Sequence, residues 1–324
     1  MREFVLPQGD QAALLPGASY SVPGLFLYSD LIYTCLDQVA DKFGYRIPVK
    51  YLYGSPKVLW NGGRLVLTDP HYTNQELYDE LAGAVAHGIT PLLTFSMLEV
   101  TQADLADPAS NALMEMLQDV GGGVIVSSPV LGEYIRRQYP KVELHASMIL
   151  TCFAPRRDVA YYESLSRNYD RYVVNPDDNF HLDLLAQLPK ERAELLINER
   201  CVHECPQRKE HYLSTTQDQR TLLRGEGELT HFLDRCPFVP DRKQQHTKAR
   251  NISLTVPEVT RLHQMGYGLF KLQGRLDIPY VVFFDFLRYS LENEVAFPAM
   301  YPAFAFAIRD HLKEKERRRR GGKT

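Results

Sequence analysis

The chain has 324 residues, of which 44% are hydrophobic and 24% charged, with a net charge of −3. These values describe an ordinary folded protein and exclude a disordered polyelectrolyte. The slight acidic excess excludes nucleic-acid binding by overall charge, leaving only local basic patches for that role. The length exceeds a small domain but suits a single α/β barrel whose core needs no disulfide staples.

Near Met1-Arg2-Glu3-Phe4 no apolar run is long enough for a secretory signal, and nowhere is there one for a membrane span. The expectation is a cytoplasmic protein in which Cys35, Cys152, Cys201, Cys205 and Cys236 stay reduced. Their odd number also speaks against a complete disulfide framework.

Short β-branched runs alternate with longer amphipathic ones. Cys35 falls in the apolar helical run Leu31-Ile32-Tyr33-Thr34-Cys35-Leu36 and reads as a core residue. Residues 49–54 read as a strand. Residues 74–87 read as a helix with Asn74 as N-cap and Leu77, Leu81, Ala84 and Val85 on one face. Strands follow at 89–95, 124–127, 142–147, 171–174 and 193–197. The helices between them cover 111–120, 130–139, 160–169 and 182–188, with Gly88, the run 121–123 and Pro140 as stops. Repeated βα units of this size predict a parallel sheet wrapped by helices. Their number favours a TIM-like (β/α) barrel over an open doubly wound sheet, and no glycine-rich dinucleotide fingerprint follows the first strand.

Residues 207–250 are polar and aperiodic, which predicts an irregular loop or insertion. Order returns with Pro257 at the first turn of a helix over 258–265, then a strand over 268–272. The domain expectation is one barrel over 1–310 with a helical C-terminal extension, then a basic tail over 311–324. The tail reads as a fraying helix end, or alternatively as a contact for RNA or another anionic partner.

The chemistry-bearing motif is Asn198-Glu199-Arg200-Cys201-Val202-His203-Glu204-Cys205-Pro206, directly after a predicted strand. In a βα barrel, the residues after strands form the mouth where chemistry occurs. Cys201 and Cys205 are close enough in sequence to grip one metal ion or cluster. Cys236 in the long loop and Cys152 after another strand are candidates for the remaining ligands, and four thiolates suit a 4Fe–4S cluster. Zinc is the rival, with His203 or His211 completing a Cys/His tetrahedron. Glu199 is a candidate acid or base, or a support for the ligands. Lys271 and Arg275 are candidates for holding an anionic substrate, or else for a structural salt bridge. Asn175, Asp177 and Asp178 read as substrate contacts at the mouth or as turn caps, and Asn61-Gly62-Gly63-Arg64 as a turn or a substrate loop.

Several segments together resemble the collagenase-like peptidase family (peptidase family U32). They are the strand with His145-Ala146-Ser147, residues 169–177 and Asn198-Glu199-Arg200-Cys201. Most specific are Val256-Pro257-Glu258 and Gly266-Tyr267-Gly268-Leu269-Phe270-Lys271-Leu272-Gln273-Gly274-Arg275. The likeness spans roughly residues 45–280. It implies a TIM-like barrel carrying a four-iron four-sulfur cluster on cysteines. It also implies an oxygen-independent hydroxylase-type enzyme or subunit, acting with an electron donor and a partner subunit on a quinone precursor or an RNA base. The cysteine spacing differs from that of the best-known members. A barrel with a structural zinc or cluster site that binds RNA or protein is the alternative. A peptidase ranks last, since neither G-x-S-x-G nor H-E-x-x-H is present.

Overall fold

Alternation of β-branched and aromatic strands with capped helices closes into a cylinder. The computed structural model describes residues 5–62, 72–225, 227–236, 251–274 and 279–321. The barrel strands are β1 (Ser19–Pro23), β2 (Val49–Gly54), β3 (Thr90–Phe95), β4 (Gly123–Val126), β5 (Glu143–Ala146), β6 (Arg171–Val174), β7 (Ala193–Leu196) and, after an excursion, β10 (Leu269–Lys271). All neighbours are parallel, and β10 closes the ring by pairing with both β7 and β1, with Tyr20 opposite Phe270 and Phe270 opposite Leu195. The TIM-like reading is therefore correct.

The helices between the strands, in chain order, are α1 (Ser29–Phe43), α2 (Asn74–Ala86), α3 (Gln102–Leu105), α4 (Pro108–Val120), α5 (Pro129–Gln138), α6 (Met148–Cys152), α7 (Val159–Asn168) and α8 (Leu182–Gln187). Local chemistry sets their ends. Thr73, not Asn74, is the N-cap of α2, because its hydroxyl accepts from the Glu76 N–H while Glu76 reaches back in a capping box. Helix α4 starts earlier than its apolar period suggests, with Asp107 as cap and Pro108 in the first turn. Its end is the glycine run: Gly121 has φ +82°, and a Cβ on Gly122 would lie 2.8 Å from the Pro91 carbonyl oxygen.

Between β7 and β10 the chain leaves the barrel. It forms β8 (Asn198–Val202), α9 (Arg208–Arg224), α10 (Phe232–Arg235), β9 (Asn251–Ser253) and α11 (Val256–Gln264), with β8 and β9 antiparallel in a separate small sheet. The polar stretch expected to be irregular thus carries a 17-residue helix, α9. Helix α12 (Pro279–Ser290) and helix α13 (Ala296–Gly321) complete the chain, and α13 packs on α12 and α1. The residues expected as a tail continue α13 as helix through Gly321. No helix among the described residues is long and apolar enough to cross a membrane.

The main core lies between barrel and outer helices and includes Trp60, Tyr20, Phe43, Phe95, Phe270 and Phe283, with Cys35 fully buried among them. A second set, Tyr51, Tyr53, Leu92, Ile125 and Leu269, fills the barrel lumen. A third, Leu98, Met148, Ile149, Cys152, Val173 and Leu196, forms a small apolar patch near the C-terminal ends of strands, against which Tyr212 and Leu213 of α9 pack.

Candidate thiol site at the barrel mouth

Barrel strand β7 ends at Leu196, and the chain turns directly into β8, so Cys201 sits in a strand outside the barrel rather than in a loop after it. Side-chain amides anchor this strand. Asn198 Nδ2 donates to the Gln273 carbonyl (3.1 Å) and to Asp285 (2.9 Å), and the Gln273 N–H donates to Asn198 Oδ1 (2.7 Å). Arg200 adds a 2.9 Å contact to Asp285. Glu199 Oε1 accepts the backbone N–H of its near neighbour Cys201 (3.0 Å) and faces the Gln273 side-chain amide at 3.5 Å. Glu199 therefore supports the cysteine backbone.

The turn from Cys201 to Cys205 is held from two sides. Glu204 adopts φ +50°, a left-handed conformation uncommon for a residue with a Cβ. Its N–H is fixed by Asp177 Oδ1 at 2.9 Å. Asp177 also receives both terminal nitrogens of Arg208, at 2.6 and 3.2 Å, and Arg208 Nη2 donates to the Val202 carbonyl at 2.8 Å. Both side chains are buried, so each charge depends on the other. Asp177, read from sequence as a substrate contact or turn cap, is a clamp on the cysteine turn. Asp178 is likewise occupied, with Arg157 at 2.7 Å and the Tyr162 hydroxyl at 2.6 Å.

Cys201 and Cys205 bracket this turn, close enough for the Cys205 thiol to act on the ionisation of Cys201. Burial, with Glu199 nearby, pushes the Cys201 thiol up to about 12 despite the opposing pull of Arg208. Cys152 ends α6, where its thiol donates to the Met148 carbonyl (3.3 Å) and faces Asn175 Nδ2 at 3.5 Å. Burial raises it to about 11, and Arg208 is again the main opposing charge. The charge of one buried guanidinium thus acts on both Cys152 and Cys201. Cys236 is buried at the end of α10, which packs on α9. There the rings of Phe232 and His211 stack at 5.4 Å.

The charge environment fits a thiolate-bound group in part. Arg208 Nε is buried without a hydrogen-bond partner, and so is His203 Nε2 on the cysteine turn itself. A spare buried donor such as Arg208 Nε, beside the cysteine turn, is what a negatively charged metal–thiolate centre would satisfy. Against this, among the described residues no three His, Cys, Asp or Glu side chains are gathered at ligand distance. Cys201 and Cys205 share one turn, whereas Cys152 and Cys236 stand on separate elements packed against α9.

Two candidates lie away from the turn. Lys271 is buried, its Nζ 3.3 Å from Glu194 and 4.0 Å from the centre of the Tyr53 ring, an internal salt bridge joining adjacent barrel strands. Arg275 lies outside the described residues, as do Gly63 and Arg64, while Asn61 is fully buried.

Sequence reasoning missed α9 as the cover of the mouth. Besides Arg208, its Thr216 hydroxyl donates to the Gly62 carbonyl (3.0 Å) and accepts the Leu98 N–H (3.3 Å). At its far end Arg220 and Arg224 both bind Asp104, at 2.9 and 2.6 Å. Arg208, Tyr212, Thr215 and Gln219 recur at helical spacing, so the period was present but written in polar residues.

No family model matches the chain, and no curated protein matches it. Among solved structures it is similar to the U32 peptidase Mk0906, at 12% identity over 85% of this chain and 95% of that one, with a TM-score of 0.46. It is also similar to the 3-keto-D-glucoside 4-epimerase YcjR from E. coli, at 11% identity over 87% and 86% with a TM-score of 0.31. A GH113 β-1,4-mannanase matches at 9% identity over 81% and 99%, with a TM-score of 0.29. By its own strand order, the chain is a closed parallel α/β barrel of the TIM type with a helix-covered mouth.

Proposed function

We propose that this chain is an iron–sulfur protein of the collagenase-like peptidase type. It holds a 4Fe–4S cluster at the barrel mouth and serves as an oxygen-independent hydroxylase-type enzyme, or a subunit of one, on a quinone precursor or an RNA base. The observation that carries the reading is the clamped Cys201–Cys205 turn, with two thiols beside a buried guanidinium whose Nε–H is unspent. Cys201 and Cys205 would hold one side of the cluster, and Cys152 and Cys236 would supply the other ligands. The substrate class rests on the resemblance of residues 256–258 and 266–275 to the family motif.

When bound, such a cluster supplies one-electron transfer. The chain's own residues do the rest. Arg208 offsets thiolate charge, while Asp177 keeps that guanidinium in place and fixes the Glu204 N–H. Glu199 holds the Cys201 backbone, and the apolar patch under Tyr212 and Leu213 limits water at the mouth. A second reading, structural zinc on a binding module, draws on His203, whose buried Nε2 lacks a partner between the two cysteines.

The test is metal analysis and visible absorbance of protein purified without oxygen. A brown protein with about four irons per chain is the expected result. A colourless protein with about one zinc would replace the first reading with the second. A preparation free of both metals that stays folded and takes up neither on reconstitution would overturn both.

A further inference from the structure

The opposite, N-terminal face of the barrel carries a hollow that the thiol site does not use. It measures about 270 Å³ and is lined by Arg136, Arg167, Arg192, Asn168, Tyr169 and Asp170, with Pro140, Val142 and Leu144 behind them. The arginines come from the last turns of α5 and α7 and from the connection into β7, so the fold brings them together from separate βα units.

Part of this cluster is explained by helix capping. Arg136 Nη2 donates to the Asn168 carbonyl, and Arg192 Nη1 donates to the carbonyls of Ser166 (2.8 Å) and Tyr169 (3.1 Å). Cations at the C-terminal end of α7 complement its exposed carbonyls and dipole. Capping leaves much unexplained. Each guanidinium has five N–H donors, and these contacts use one nitrogen each. Among the described residues Arg167 bonds no carbonyl; its ion pair is a 3.8 Å contact to the half-exposed Glu163. In the lining, three guanidiniums face one carboxylate, Asp170, which is already committed to the Leu144 N–H at 2.8 Å. Arg136 also lies 5.9 Å from the Tyr169 ring centre.

We propose that this hollow binds the phosphate group of a small phosphorylated ligand, with Arg167 and Arg192 as the principal donors and Arg136 beside them. Planar forks match phosphate oxygens two at a time, and a dianion suits three cations better than a single carboxylate does. The site lies on the face where a barrel keeps stability rather than chemistry, so its ligand is separate from any substrate at the mouth. The proposal does not depend on the iron–sulfur reading.

Calorimetric titration of the full-length protein at low ionic strength tests it, with inorganic phosphate and AMP as probes and chloride as control. Saturable binding of phosphate or AMP is expected; inorganic phosphate alone would identify a free anion as ligand, and tighter AMP binding a phosphate ester. Arg167→Gln, which removes no backbone contact, and Arg192→Gln should each weaken binding about tenfold. Unchanged melting of Arg167→Gln separates loss of the ligand from loss of the α7 cap. Absence of binding by either probe, or affinity unaltered in both variants, would overturn the proposal and leave the arginines as caps. Binding of a single-stranded RNA oligonucleotide without either small probe would also overturn it, in favour of a macromolecular surface.

Discussion

The barrel wall and the helix that covers its mouth are built by opposite means. The wall is closed by apolar burial: Tyr20, Phe270, Leu195 and Val174 are essentially inaccessible, and strand pairing supplies their backbone partners. Helix α9 is strongly polar, yet Arg208, Thr215, Thr216, Asp218 and Gln219 are buried in it. It is tied down by Asp177 at one end, Gly62 and Leu98 in the middle and Asp104 at the other, over about 25 Å of helix. Apolar burial is non-directional and tolerant, whereas each buried polar tie is costly when one partner is lost. A region held that way opens by a few discrete breaks, which suits the cover of a functional site.

This contrast can be broken at four points, in falling order of effect. Phe270→Ala, in the strand that closes the ring, should cost about 3–5 kcal/mol. Denaturant melts of wall and cover signals should shift together. Asp104→Asn removes the carboxylate shared by Arg220 and Arg224. Because those arginines are partly exposed, the expected cost is about 1–2 kcal/mol. Hydrogen exchange should localise it to 208–224 with barrel strands unchanged; equal acceleration across the barrel would mean that wall and cover open as one unit.

Acid should reach the same latch. Desolvation acts to raise the Asp104 carboxyl, but the Thr101 hydrogen bonds and the charges of Arg220 and Arg224 outweigh it and hold the group below the ordinary carboxylate range. A depressed folded value means the contribution is complete above the unfolded value of about 3.9 and is lost as pH falls through the lower folded value. Exchange of α9 amides should therefore rise below about pH 4 in the wild type, and this acid step should be absent in Asp104→Asn. The smallest effect belongs to Thr216→Val, which leaves the Gly62 carbonyl and the Leu98 N–H without a partner. About 1 kcal/mol of local stability is expected, read as faster exchange in the middle of α9.

The same contrast explains what the sequence revealed. Barrel strands such as Val49–Gly54 and Arg171–Val174 were legible because β-branched and aromatic runs bounded by turn residues have one stable use. Helix α9 was not legible: apolar period is the signal for a buried helix, and here the buried face is Arg, Thr and Gln. β8 was not legible because Asn198–Val202 follows β7 after a single residue and pairs with β9, a partner distant in sequence. Of the thiol site, the Cys201–Cys205 pair was visible as a spacing. The clamp was not, since Asp177 and Arg208 meet only through the fold.

Iron per chain in Cys201→Ser and Cys205→Ser, prepared beside the wild type without oxygen, decides whether the Cys201–Cys205 turn holds a metal–thiolate centre. About four irons are expected in the wild type, with loss of most iron in both variants and barrel melting unchanged. Equal iron in all three proteins would contradict that role.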